Sequence, residues 1–290
     1  MSSDGAGLVR RRVANQSNPV TQTTDNNNTS SCTPHEPDLF DSEDTDARTT
    51  KLTLMEEVFL LGLKDRQGYT SFWNDCISVG LRGCILAELI LRKRIVLDKS
   101  NRRRVSLAMR KVQVVNTEHT GDALLDEALK HINDTQPAES IHSWIHYLSG
   151  ETWNPFNLKF QLKNVRERIA KNLVEKGVLS TEKRSFVIFD MTTHPLVNCP
   201  IKSKLVRRVQ DAVLRDWVSD PQMMDKRLLA LIILAYHSDV LENAFGPLSD
   251  DEYETAMSRS RVLLDLDMEL ESTKTNANEA LWAVFAAISK

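Results

Sequence analysis

LLALIILAYHSDVL, residues 228–241, is the longest apolar run in the chain, and its reading decides the fold. It is too short to span a bilayer, which takes about 18 or more apolar residues, and it carries His237 and Asp239. The first residues, MSSDGAGLVRRR, lack the apolar centre of a secretory signal. The chain is therefore expected to be soluble, meeting any membrane from outside. Within MMDKRLLALIILAYHS (223–238) the run reads as one helix, apolar enough to lie at the centre of a helical protein.

Helical punctuation extends in both directions. KLTLMEEVFLLGL (51–63) opens with Thr53 and Glu56 spaced as a capping box. LRGCILAELILRKR (81–94) is apolar until its basic end, and 121–134 and 139–150 are amphipathic. NPFNLKFQLKNVRERIAKNLVEKG (154–177) has Asn154 to cap it, Pro155 in its first turn and Gly177 after its end. Residues 200–217, 250–266 and 276–290 complete the set. RIVLDKSNRRRVSLAM (94–109) and GVLSTEKRSFVIFDMT (177–192) each read as strand, polar turn and strand. The expected fold is mainly α: a single globular domain of eight or more helices around a central apolar bundle, with two or more short β-hairpins.

Residues 1–50 differ in kind. They are rich in Asn, Thr and Ser and then acidic, with too little apolar surface to offset ordering, and read as a disordered tail before a domain at 51–290. The tail holds eight acids and four arginines, three of them the cluster Arg10, Arg11 and Arg12. The net charge of −3 therefore leaves 33 basic and 32 acidic groups in 51–290, which argues against a broadly cationic nucleic-acid binder. Cys32, Cys76, Cys84 and Cys199 form no CxxC pair and no histidines stand at matching spacing, so free thiols are expected, with no metal and no cofactor. GxSxG, GxGxxG, GxxxxGK and HExxH are absent, and the chain does not read as an enzyme. Asp190 and His194 are the one acid–base pair to consider, and a turn histidine capping backbone groups accounts for them.

Two basic features remain. Residues 92–111 hold nine cations against Asp98, and read as a surface for an anionic leaflet or as a solvated hairpin. On a continuous helix 154–177, Lys159, Lys163 and Arg166 would share a stripe opposite Leu158, Leu162, Val165 and Ile169. A phosphomonoester needs charge-assisted donors, and tryptophan favours the headgroup level. Trp73 and Arg82, in YTSFWNDCISVGLRGC (69–84), together with Lys163 and Arg166, supply those residue types. Helix 154–177 followed by its hairpin also has the order of a recognition helix and wing, which makes a winged-helix nucleic-acid module the alternative.

LTLMEEVFLLGLKDRQGYTSFWNDCISVGLRGC, TGDALLDEALKH, SGETWNP, NVRERIAKNLVEKGVL, FDMTTHPL, KRLLAL, DVLENAF and NEALWAV, in that order from about residue 51 to the end, closely resemble the Golgi phosphoprotein 3 family. The resemblance implies a non-enzymatic peripheral protein on the cytoplasmic face of the (trans-)Golgi membrane, with a cytosolic pool. It implies a phosphatidylinositol 4-phosphate pocket at Trp73, Arg82, Lys163 and Arg166, where Lys163 stands in place of an arginine of some relatives. It further implies an adaptor joining cytosolic tails of Golgi glycosyltransferases to the COPI coatomer coat through Arg10, Arg11 and Arg12, with an unconventional myosin as a partner of some members. In the hairpin around 184–193 it assigns self-association or membrane insertion to Phe186, Val187, Ile188 and Phe189, for which a buried edge strand is an equal reading. No nucleic acid is among the implied partners.

Overall fold

A computed structural model describes residues 51–70, 75–98, 105–185 and 190–289, all within one unit of the chain, Asp44–Lys290. Its described residues form eleven α-helices and three two-stranded antiparallel hairpins. None of the helices is long and apolar enough to cross a membrane.

The first helix, α1 (Leu54–Gly62), starts where expected: Thr53 Oγ1 accepts the Glu56 N–H, and Glu56 accepts the Thr53 N–H at 2.7 Å. The hairpin β1 (Leu63–Lys64) and β2 (Tyr69–Thr70) leads to α2 (Cys76–Leu91), five residues earlier in its start than the sequence implies. From Leu81 to Leu89 every residue of α2 is buried, and each large aliphatic side chain so placed contributes about 1.5–3 kcal/mol. Then come β3 (Ile95–Leu97), β4 (Val112–Val114), α3 (Ala123–Asn133), α4 (Ile141–Ser149), α5 (Val165–Glu175), β5 (Glu182–Ser185) and β6 (Asp190–Thr193). The C-terminal part is helical: α6 (Cys199–Leu214), α7 (Lys226–His237), α8 (Leu241–Phe245), α9 (Asp250–Leu264), α10 (Met268–Glu271) and α11 (Glu279–Ile288).

Residues 229–235 of α7 are all buried, as the opening run requires, and α7 packs on α1, α2 and α11. At Gly80 a Cβ would lie 1.9 Å from Ser238 Oγ, so glycine lets α2 approach the end of α7. In the first sequence-predicted hairpin the second strand is β4, beyond Met109 where it was expected, because residues 107–109 form a 3₁₀ turn instead. Cys76, exposed, and Cys84, buried, are free, as the spacing suggested for them, and Cys32 lies outside the described residues.

The apolar α1 also buries two carboxylates. Glu57 bonds Arg208 at 2.6 Å and Arg227 at 3.2 Å, and Glu56, besides capping its own helix, holds Lys176 Nζ at 2.6 Å. From α2, Glu88 meets Arg227 at 2.9 Å and Arg92 at 2.8 Å, and accepts the Leu54 N–H. Arg227 also donates to Leu52 O, and Lys176 to Lys51 O. The entry of the chain into the domain is thereby fastened to α5 and α7.

Candidate functional site

The site begins with one residue that an apolar helix would not otherwise bury. Arg82, 6% exposed, directs its guanidinium from α2 across the ends of two other segments. Nη1 donates to Ser78 O and Ser78 Oγ at 3.0 Å, Nε to Leu148 O at 3.2 Å, and Nη2 to Leu162 O at 3.0 Å. Leu148 lies in the last turn of α4, which Gly150 ends at φ 82°, and Leu148 O also accepts the Leu162 N–H. Arg82 thus clasps the neck of a loop, 149–161, that leaves and returns at one point.

This clasp revises the helix expected at 154–177. Residues Pro155–Phe160 form a 3₁₀ turn, Asn164 is left-handed (φ 53°), and α5 starts only at Val165. The Leu162 N–H and C=O, which a continuous helix would use internally, are taken by Leu148 and Arg82. Lys159, Lys163 and Arg166 therefore share no helical stripe, and Leu158 is exposed while Phe160 is buried. Arg166, half-buried in the first turn of α5, lies close enough to Arg82 for its charge to act there, and Lys163, exposed, follows the clasped Leu162. Burial, and then the nearby charge of Arg166, push the Arg82 guanidinium down to about 10, with Glu151 opposing. Burial also lowers Arg166, with Asp75 opposing. Asn164 makes no side-chain cap, so the positive end of α5 opens on the same place. The arrangement concentrates positive charge that Arg82's own hydrogen bonds, all to neutral oxygens, do not neutralise; it suits an oxyanion such as a phosphate.

Trp73 lies outside the described residues, as do Arg10, Arg11, Arg12, Phe186, Val187, Ile188 and Phe189. So do Lys99 and Arg102 to Arg104 of the cationic run. Three others of that run are paired with acids: Arg92 with Glu88, Arg94 with Glu118 at the surface, and Arg110 with Glu279 and Glu269. The run is not the uniform cationic surface its composition suggested. His194 is buried, with Nδ1 3.3 Å from Thr181 Oγ1 and from Ser180 O, and it serves the backbone as expected. On α5 Arg168 and Lys171, and just after it Lys176, are engaged by Glu127, Glu167 and Glu56, which leaves little of the basic face a nucleic-acid-reading helix needs.

A mainly α domain with short hairpins, no membrane-crossing helix among its described residues and a buried arginine near a half-buried one is, as a class, a helical domain with a local concentration of positive charge. Within that class the chain belongs to the Golgi phosphoprotein 3 (GPP34) family, whose model matches residues 54–284. It is 47% identical over 224 residues to vacuolar protein sorting-associated protein 74 of Schizosaccharomyces pombe. That match takes in 74% of this chain and 66% of the relative, so it spans just under two thirds of the relative's length.

Proposed function

We propose that the chain is a non-enzymatic peripheral adaptor of the Golgi membrane that recognises phosphatidylinositol 4-phosphate at the Arg82–Arg166 site. The observation that carries this reading is the pairing of two arginines, one of them buried with all its hydrogen bonds on neutral oxygens and both lowered in pKa. Burial and the charge of Arg166 both lower Arg82, so an anion drawn to this place gains from both guanidinium groups. Arg166 and Lys163 act as ligands to the phosphate, Trp73 packs on the inositol ring at headgroup level, and Arg82 fixes the site and supplies field. Lysine at 163 acts as a point charge where an arginine would grip bidentately.

The adaptor role follows from family membership and the relative's sorting role. Arg10, Arg11 and Arg12 contact coatomer, the domain holds glycosyltransferase tails, and Phe186, Val187, Ile188 and Phe189 mediate self-association or insertion. An unconventional myosin is a further partner in this reading.

Sedimentation with phosphatidylcholine vesicles containing phosphatidylinositol 4-phosphate tests the reading. Arg166→Ala should weaken binding about tenfold or more, the scale of a lost charge-assisted bond, at unchanged melting temperature. Lys163→Ala should weaken it several-fold. Equal binding by wild type and Arg166→Ala would remove the site from the mechanism.

A further inference from the structure

The loop that Arg82 clasps displays the most exposed aromatic residues among the described large apolar side chains. Trp153 is 104% and Phe156 81% exposed, with Leu158 at 44%. Two rings in water within four residues is an unusual outlay of apolar surface, and such surfaces mark interaction sites.

The display is built. Asn154 Oδ1 accepts the Phe156 N–H at 3.1 Å, Thr152 Oγ1 accepts the Asn154 N–H at 3.3 Å, and Asn154 O accepts the Asn157 N–H at 2.9 Å. The chain then turns back into the domain through Phe160, which meets Trp144 edge-on at 5.5 Å and stacks on Tyr147 at 5.9 Å. At the base, Gln161 Nε2 donates to Ser149 O at 3.4 Å, beside the neck already closed by Leu148 and Leu162. The turn's own hydrogen bonds thus hold its rings out, while Phe160 anchors its return in the core.

Charge indicates what covers them. Exposed Lys159 flanks the rings, exposed Lys163 follows the neck, and Arg82 and Arg166 stand at the root. Glu151 is the loop's single acid, 3.7 Å from His146. Aromatic rings mixed with Thr and Asn and backed by cations have the composition of a segment at the boundary between headgroups and acyl chains. A narrow protruding turn fits between lipids better than it fills the flat, extended face of a protein interface.

We propose that loop 149–161 is a membrane wedge: Trp153 and Phe156 enter the interfacial layer of an anionic phospholipid leaflet, with Lys159 and Lys163 at the level of its phosphates. Because Arg82 fastens the neck, the wedge and the anion site share one root. The wedge goes beyond the headgroup reading and takes its orientation from it.

The full chain and its variants W153A, F156A and W153A/F156A test this on vesicles of phosphatidylcholine and phosphatidylserine, with and without phosphatidylinositol 4-phosphate. Both side chains are exposed, so melting temperatures should not change. The double variant should bind vesicles about tenfold or more weakly, the scale of removing two rings from an apolar environment. Lipids brominated on their acyl chains should quench wild-type tryptophan fluorescence, and W153A should lose that share of the quenching. The rise in melting temperature caused by soluble inositol 1,4-bisphosphate should stay the same in the double variant. If that rise is missing in wild type while the vesicle and quenching losses stand, the wedge holds and the headgroup site fails. Undiminished vesicle binding by the double variant, or quenching that W153A leaves intact, overturns the wedge and leaves the rings to a protein partner.

Discussion

Arg82 and Arg227 are both drawn into the domain from apolar helices, and the difference between them separates structure from recognition. Burial works against the charge of each. Around Arg227 it is outweighed by Glu57 and Glu88, and the guanidinium is held above its ordinary value. Arg82 meets neutral oxygens and a second arginine, and falls to about 10. Both remain charged at neutral pH, yet only Arg227 is in direct ion pairs, while Arg82 feels its nearest acid, Glu151, without a hydrogen bond to it. Burial of an arginine thus says little about its role; the source of the compensating charge says more.

The comparison can be broken most forcefully at Arg227. Arg227→Ala removes the guanidinium that Glu57 and Glu88 share, leaving them to the more exposed Arg208 and Arg92, and should cost about 3 kcal/mol in urea unfolding, without changing the response to soluble headgroup. A loss near zero would mean that Arg208 and Arg92 suffice to compensate both carboxylates.

A smaller effect is expected at Arg82. Arg82→Lys keeps the charge but cannot reach Ser78, Leu148 and Leu162 together, so it should cost about 1–3 kcal/mol through unpaired buried carbonyls. Urea unfolding measures the loss, and adding soluble headgroup should recover less of it than in wild type. Full stability in the lysine variant would show that the neck closes without the clasp.

The smallest effect is a pH slope. Glu88 is held below its ordinary value of 4.5: burial raises it, but Arg227, the Leu54 N–H and Arg92 outweigh burial. Its contribution is full above that value and is lost as pH falls through the lower folded value. Glu57 is raised, because burial outweighs Arg227 and Arg208; its contribution is full below 4.5 and is lost as pH rises through the higher folded value. Melting temperatures of Glu88→Gln and Glu57→Gln relative to wild type, followed from pH 7 downward, should therefore change in opposite directions. Parallel curves would contradict the assigned environments.

These contrasts also show what could be read along the chain. The capping box of Thr53 and Glu56 is local, three residues wide, and was legible. So was the burial of residues 229–235, because continuous apolarity admits few alternatives in a chain of this length. Partners of Glu57 and Glu88 were not legible, since Arg227 stands 170 and 139 residues away. The break in 154–177 was hidden for the same reason: Leu158, Leu162, Val165 and Ile169 keep helical spacing, while the bond that takes Leu162 O comes from 80 residues upstream. Lys163 and Arg166 were named from that absent stripe and from family resemblance; of the two, the charge of Arg166 reaches Arg82, and Lys163 is exposed next to the clasped Leu162. Trp153 and Phe156 drew no functional reading, though two rings around Asn-Pro, in a turn with no period able to bury them, were a usable signal.

The fastening of Lys51 O by Lys176 and of Leu52 O by Arg227 has a mechanical consequence. Tension applied through the N-terminal arm reaches α5 and α7 before it can peel the first turn of α1. A domain gripping a membrane by one face and pulled by its arm from elsewhere would distribute that force over three helices at once, and unravelling would have to rupture the ionic knot first.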